Sequence, residues 1–491
     1  MQMQNYTKSA GTVADEIAGV VGADNVLTDV EALRPFECDG LTAYRQLPLL
    51  AVLPASIEEV IGVLKICKRH SIAVVTRGAG TGLSGGALPQ PDAVLLSLTR
   101  MNQILEIDSA SKTARVQPGV TNLSISNAVK HLGLYYAPDP SSQIACSIGG
   151  NVAENSGGVH CLKYGLTVHN ILELKVATID GDLLTVGSAA LDSPGYDLLA
   201  LMTGSEGMLG VVVEVRVKLL AIPTTAQVVM AAFNSVEEAG QAVAGIIGGG
   251  ILPAGLEMMD QYAIKAVEDF VQAGYPLDAA AILLCELDGT QQEVVDQIGK
   301  VKSILRDFGA TGSWVAEDEQ ARQRFWSGRK SAFPAVGRIS PDYYCIDGTI
   351  PRRELGKVLR TIGQLSEKFG LRVANVFHAG DGNLHPLILY DANKENELEQ
   401  TEELGNQILE LCIEVGGTVT GEHGVGVEKL RPMCMQFQSA ELEQFHALKA
   451  AWDPQSLLNP GKAVPTLARC AEFGAMHVHQ GQLPFSDLER F

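Results

Sequence analysis

No two of the nine cysteines (Cys38, Cys67, Cys146, Cys161, Cys285, Cys345, Cys412, Cys434, Cys470) form a C-x-x-C pair, and their number is odd. Neither a disulfide framework nor a cysteine-ligated iron–sulfur cluster is therefore expected, and a reducing, cytoplasmic compartment is. Positive charge is scarce: 37 Lys and Arg against 57 Asp and Glu give a net charge of −20 and a pI near 4.9. Such a surface repels a phosphate backbone, which excludes nucleic acid and obliges an anionic substrate to find a local cationic pocket. The N-terminus has no basic start followed by an apolar core, so no signal peptide is expected. Long apolar runs are missing too. "AGQAVAGIIGGGILPAG" at 239–255 resembles a span most, but its six glycines and one proline leave it too broken and short to cross a bilayer.

What the chain does have is length and glycine. Its 491 residues exceed what one hydrophobic core organises, so about two domains are expected. Residues 1–48 read as a helical lead-in. From 49 to 223 the chain gives a strand, a helix opening at Ser56 with Glu58 and Glu59 in its first turn, another strand, and then β-rich, glycine-punctuated sequence. Pro223 marks a boundary. Residues 224–425 alternate helices ("SVEEAGQAVAGII", "RRELGKVLRTIGQLSEKFG") with strands ("AILLCELDG", "RVANVFH"), an α+β pattern of antiparallel strands covered by helices. A helix through "PMCMQFQSAELEQFHALKAAWDP" dominates the segment 426–465, and a tail occupies 466–491. There are no internal repeats.

"TRGAGTGLSGGALPQP" at 76–91 contains Gly80-Thr81-Gly82-Leu83-Ser84-Gly85, a G-x-G-x-x-G letter for letter. A dinucleotide fingerprint must open a helix whose N-terminus receives the pyrophosphate, and Gly86, Pro89 and Pro91 forbid one here. A Walker loop fails for want of Gly-Lys-Ser/Thr. The remaining readings are a flexible loop or an anion nest of bare backbone N–H groups beside two hydroxyls. "PDPSSQIACSIGGNVAENSGG" (138–158) and "TGSEGMLG" (203–210) bring further bare backbone to strand ends, which favours a large nucleotide contacted along its length.

"VFHAGDGNLHPLILY" at 376–390 places His378 and His385 on either side of a glycine-rich turn. If the flanking apolar runs pair as a hairpin, both rings sit at its mouth and converge. "GGTVTGEHGVG" adds Glu422 and His423 between glycines. Two imidazoles and one carboxylate suit Zn²⁺, Mn²⁺ or Fe²⁺ with positions left open for substrate. Asp381 reads as a turn residue capping its own backbone, Lys330 as solvated, and His477 and His479 in the tail carry no role.

These segments, with "GLEMMD" and "FWSGRKSAFPAVGRISPDYYCIDGTIP", resemble the vanillyl-alcohol-oxidase-type (PCMH) flavoproteins, and more closely their D-2-hydroxyacid dehydrogenase branch, from about residue 35 to 465, and the tail "RCAEFGAMHVH" shares the resemblance. The resemblance implies a two-part FAD-binding domain, an α+β substrate or cap domain with an antiparallel sheet, and a C-terminal helical segment that returns to the flavin. It places pyrophosphate on Arg77, Gly78, Ala79, Gly80, Thr81, Gly82, Leu83 and Ser84. The flavin would lie against Pro138, Asp139, Ser142, Gly149, Gly150, Asn151, Asn155, Gly158, Glu206, Gly207 and Val212. Asn459 is either a cofactor contact or a simple helix stop. The loop at 76–91 has no histidine for covalent attachment, so the FAD is expected to be non-covalent. The same matching makes His378, His385 and Glu422 the metal ligands, His423 the base, and Arg329 the clamp on a substrate carboxylate.

The implied reaction is oxidation of a short 2-hydroxy acid, glycolate first and D-lactate second, to the 2-oxo acid, with hydride passing to the flavin. The implied partners are a second flavin-domain subunit and an iron–sulfur subunit, which would tie the chain to the inner face of the plasma membrane. The alternatives are a self-sufficient D-lactate dehydrogenase and a non-catalytic FAD-binding assembly subunit.

Overall fold

In the strand Thr225–Phe233, successive side chains enter opposite cores, as the two-residue period of a strand requires. Val229, Ala231 and Phe233 join one cluster, and Val228, Met230 and Ala232 the other. This strand belongs to a seven-stranded sheet in the order Gly312–Val315, Thr225–Phe233, Ala281–Gly289, Gly255–Asp260, Val373–Phe377, Pro386–Tyr390, Asp342–Cys345. Every pairing in it is antiparallel. Helices Val236–Gly248, Gln291–Asp307, Leu355–Phe369 and Glu397–Glu414 cover one face; Gln261–Val271, Glu319–Lys330 and Ala332–Val336 cover the other. With both faces buried, the central strands have to be apolar throughout, as "AILLCELDG" largely is.

The preceding part, in this computed structural model describing residues 2–190 and 194–466, is built on two smaller sheets. A mixed four-stranded sheet runs in the order Val26–Leu27, Leu50–Val52, Val94–Ser97, Val74–Arg77. An antiparallel five-stranded sheet follows the order Ile104–Asp108, Thr113–Val116, Val211–Lys218, Ile171–Ala177, Leu183–Gly187. The helix Ile57–His70 opens at Ser56, whose Oγ accepts from the Glu59 backbone N–H at 3.2 Å, and Glu58 and Glu59 lie at the positive end of its dipole. After Val74–Arg77 the chain stays in loop until Val94, so no helix receives a pyrophosphate there.

The α+β class stands, with three local corrections. The lead-in contributes the strand Val26–Leu27 to the first sheet and is not purely helical. The expected single C-terminal helix is two, Leu430–Gln436 and Ser439–Trp452, because Phe437 is extended and Gln438 starts a new capping box with Glu441. Cys434 is disulfide-bonded, whereas Cys38, Cys67, Cys146, Cys161, Cys285, Cys345 and Cys412 are free. No helix among the described residues is long and apolar enough to cross a membrane. His477, His479 and the rest of the tail beyond residue 466 lie outside the described residues.

Candidate active site

Strands Val373–Phe377 and Pro386–Tyr390 pair in register, and His378 and His385 follow the first and precede the second. The turn between them closes on Asp381, whose Oδ1 accepts from the Asn383 backbone N–H at 3.0 Å. The two imidazoles meet edge to face with centroids 5.1 Å apart. His378 Nε2 lies 3.2 Å and His385 Nε2 2.9 Å from the same atom, Glu422 Oε1. One donor atom from each of the three side chains lies within 4.8 Å of the others, a spacing a single ion can span. Cys345, His385 and His423 make a second group by the same measure.

Glu257, on the neighbouring strand Gly255–Asp260, holds the other side of His378. Its Oε1 is 2.8 Å from His378 Nδ1; a carboxylate only accepts, so Nδ1 carries a proton, and Nε2, turned to Glu422, is the nitrogen that could give up its proton to an ion. Its Oε2 accepts from Arg329 Nε at 2.7 Å. Against the burial that would lower it, the Glu257 and Glu422 carboxylates hold His378 well above the usual imidazole range. Burial would raise Glu422, but His378 and His385 hold it well below the usual carboxylate range. Glu257 has Arg329 as its countercharge, so it is the buried Glu422 carboxylate between the two imidazoles that calls for positive charge at this point. A divalent cation fits that demand and the donor set.

Glu422 and His423 are positioned by Asp347, which is fully buried. Its Oδ2 accepts from Thr420 Oγ1 at 2.6 Å and from the backbone N–H groups of Gly421, Glu422 and His423 at 3.0, 3.2 and 2.9 Å. The His423 ring stacks on His385 with centroids 4.9 Å apart and planes 6° from parallel. Its Nε2 is 3.9 Å from Glu422 Oε1, and its Nδ1 has no hydrogen-bond partner. Burial pushes its pKa down to about 4, so the ring is neutral and able to take a proton.

A cavity of about 370 Å³ opens between the two parts of the chain. Gly78, Ala79, Gly80, Thr81, Gly82 and Leu83 line it from one side, Ser142, Gly149, Gly150, Asn151, Glu206, Gly207 and Val212 from others, and His385, Glu422 and His423 close one end. Gly80 has φ +73°, and a side chain there would collide with the Arg77 guanidinium. A Cβ on Gly82 would meet nothing nearer than 4.0 Å and would stand in the space itself. The bare backbone is thus a cradle that side chains would fill, which fits a large cofactor lying along it.

The remaining expected residues stand behind this wall. Arg77 donates from Nη1 to Cys38 O at 2.7 Å, and the Ser84 carbonyl receives Val427 N–H at 3.0 Å. The Pro138 carbonyl receives Asn122 Nδ2 at 3.0 Å, and Asp139 Oδ2 lies 2.7 Å from His160 Nδ1. Asn155 Oδ1 accepts from Val168 N–H at 2.9 Å, and Gly158 packs too close to Asp139 for any side chain. Asn459 ties two cavity loops together by donating from Nδ2 to Gly86 O at 3.0 Å and Glu206 O at 2.7 Å. Arg329 is 2 % exposed and off the cavity wall, with Nη2 unpartnered. Its exposed neighbour Lys330, expected to be merely solvated, lines the cavity. Sequence reading missed Glu257 and Asp347. The available signal was a lone carboxylate inside each of the apolar runs "GLEMM" and "YYCIDG".

Two families match the chain, the FAD binding domain over residues 48–187 and the FAD linked oxidases, C-terminal domain, over residues 222–463. It is 64% identical to the glycolate oxidase subunit GlcD of Escherichia coli strain K12 over 96% of this chain and 94% of that one. The chain belongs to the FAD-linked oxidases. This oxidase is also 30% identical to a D-lactate dehydrogenase of Anaerostipes hadrus, over 90% of the chain and 95% of the relative. In fold it resembles p-cresol methylhydroxylase with substrate bound, with a TM-score of 0.79 at 18% identity over 94% of this chain and 98% of that one. The oxidase is therefore an FAD-linked oxidoreductase with the PCMH-type fold.

Proposed function

We propose that this oxidase converts a short 2-hydroxy acid, glycolate first and D-lactate second, to the 2-oxo acid. The observation that carries the reading is the meeting of His378 Nε2 and His385 Nε2 on Glu422 Oε1 at the end of the cofactor cavity, with His423 stacked beside them. Bound non-covalently along the glycine loops, FAD supplies the hydride acceptor. A divalent cation held by His378, His385 and Glu422 supplies Lewis acidity that lowers the substrate hydroxyl pKa.

The protein's own groups do the rest. His423 Nε2, on the side of Glu422, takes the hydroxyl proton as the α-carbon gives up its hydride, so two electrons and both hydrogens leave the substrate. Asp347 keeps Glu422 and His423 in line through their backbone N–H groups. Arg329 is proposed as the cation that balances the substrate carboxylate from behind the cavity wall, with Nε held by Glu257 and Nη2 unpartnered, in a protein whose net charge is −20. Residues 49–223 are proposed as the FAD part, 224–425 as the substrate and metal cap, and 426–465 as the segment packing back on the cavity.

The oxidase acts, in this reading, with a second flavin-domain subunit and an iron–sulfur subunit, in the cytoplasm or on the inner face of the plasma membrane through them. The relative named as a subunit of glycolate oxidase supports membership of a complex. Anaerobic mixing of the FAD-loaded protein with glycolate is expected to bleach the oxidised-flavin absorbance. If neither glycolate nor D-lactate does so, the catalytic reading fails and a non-catalytic assembly subunit replaces it.

Glu257 gives a test of the metal site. Glu257→Gln keeps the side chain's shape but removes the charge that fixes His378, and metal retention is expected to weaken by about 10- to 100-fold. Titrating metal-loaded protein with a competing chelator measures this, and unchanged affinity would remove Glu257 from the site.

A further inference from the structure

Glu154 ends the helix Ile148–Glu154 and has no part in the proposed proton and hydride transfers. Its side chain lines the cofactor cavity at the end where His423 stands. Oε1 lies on the side of Gly82 and Gly86, both cavity-lining glycines, and Oε2 is pressed against Gly424, next to His423. Oε2 is buried and has no hydrogen-bond partner. The neighbouring carboxylate, Glu206, accepts from the backbone N–H groups of Val425 and Gly426, each at 2.7 Å.

We propose that the Glu154 carboxyl donates a hydrogen bond to an acceptor atom of the flavin ring and thereby raises the ring's affinity for electrons.

Three facts lead there. Two backbone donors satisfy Glu206 as an anion, so a proton at this carboxyl pair belongs on Glu154. An unpartnered oxygen buried beside a second carboxylate costs far less as the carbonyl of a neutral acid than as half of an anion. Its pKa is accordingly held well above the carboxylate range, by burial first and then by Glu206 and Asp39, with Lys429 and Lys462 opposing. With Oε2 as the carbonyl oxygen, the O–H falls on Oε1, on the cavity side. The reacting ring has to lie beside the base, at the same end of the cavity, so it is the part of FAD within reach. A reduced ring carries more negative charge, and a donor aimed at it stabilises that state more than the oxidised one.

The proposal rests on FAD occupying this cavity, as the proposed function requires, but its test uses no 2-hydroxy acid. Reduction of the FAD-loaded protein would be followed spectrally against a reference dye, with a chemical reductant, for the wild type, Glu154→Leu and Glu154→Gln. Glu154→Leu keeps the bulk and removes the donor. Its reduced-to-oxidised ratio at a fixed dye potential is expected to fall by about 10- to 100-fold, the range for a hydrogen bond to a charged group. Glu154→Gln keeps an N–H donor and is expected to stay within about threefold of wild type.

Titration of each apoprotein with FAD, read by flavin fluorescence, checks that the variants fold and load. A weaker FAD affinity with an unchanged ratio would put the contact elsewhere on the cofactor and overturn the proposal. A rise in the ratio for Glu154→Leu would mean that Glu154 is an anion, and would overturn it equally. Failure of glycolate to reduce a protein that passes this test would count against the proposed substrate alone.

Discussion

His423→Ala is expected to slow flavin reduction by glycolate by roughly 10²- to 10⁴-fold, the usual worth of a positioned base, while metal content and FAD loading stay at wild-type levels. The separation follows from how the segment is held. Asp347 grips the backbone N–H groups of residues 421, 422 and 423, and alanine keeps all three, so Glu422 stays where His378 and His385 meet it. Only the imidazole is lost, and with it the neutral nitrogen that burial keeps free of a proton. Anaerobic stopped-flow measurement of the reductive half-reaction, beside metal analysis of the same preparation, provides the check.

Loss of metal along with activity would turn His423 into a ligand. A ready alternative exists in that case, since donor atoms of Cys345, His385 and His423 also lie within 4.8 Å of one another. Cys345→Ser separates the two sets: it is expected to leave metal content unchanged, whereas an ion held by the second group would be released.

Treatment with EDTA is expected to abolish turnover and leave the flavin spectrum of the oxidised protein intact. The two sites use different parts of the chain. The cradle is backbone from the 78–83, 142–151 and 206–212 segments, and the proposed ion sits on the 378–385 hairpin and Glu422. Removing the ion leaves Glu422 with the imidazoles already beside it, so protons replace the cation and the cavity wall keeps its shape. Restoring Zn²⁺, Mn²⁺ or Fe²⁺ one at a time, with turnover as the readout, would then rank the metals. Full activity in a preparation shown to be free of metal would discredit the ligand assignment, and with it the proposed role of His378 and His385.

The sequence by itself determined the local features. Ser56 and the two glutamates after it start a helix because they satisfy its orphan N–H groups and its dipole. Gly86 and the prolines at 89 and 91 forbid a helix after the glycine loop, and none forms. His378 and His385 flank a turn between two apolar runs, and the pairing of those runs puts both rings at one mouth. Such features depend on neighbours a few residues apart, where backbone sterics and hydrogen bonding act alone.

What the tertiary structure decided depends on residues far apart in the chain. Glu257 reaches His378 across 121 positions, and Asp347 holds the 420–423 segment from more than 70 positions away. Glu154 meets Gly424 only because the two parts of the chain close around one cavity. A carboxylate in an apolar strand is costly unless it is paired, and local sequence names no partner. Only packing brings the partner in, and packing therefore decided which buried charges serve the site.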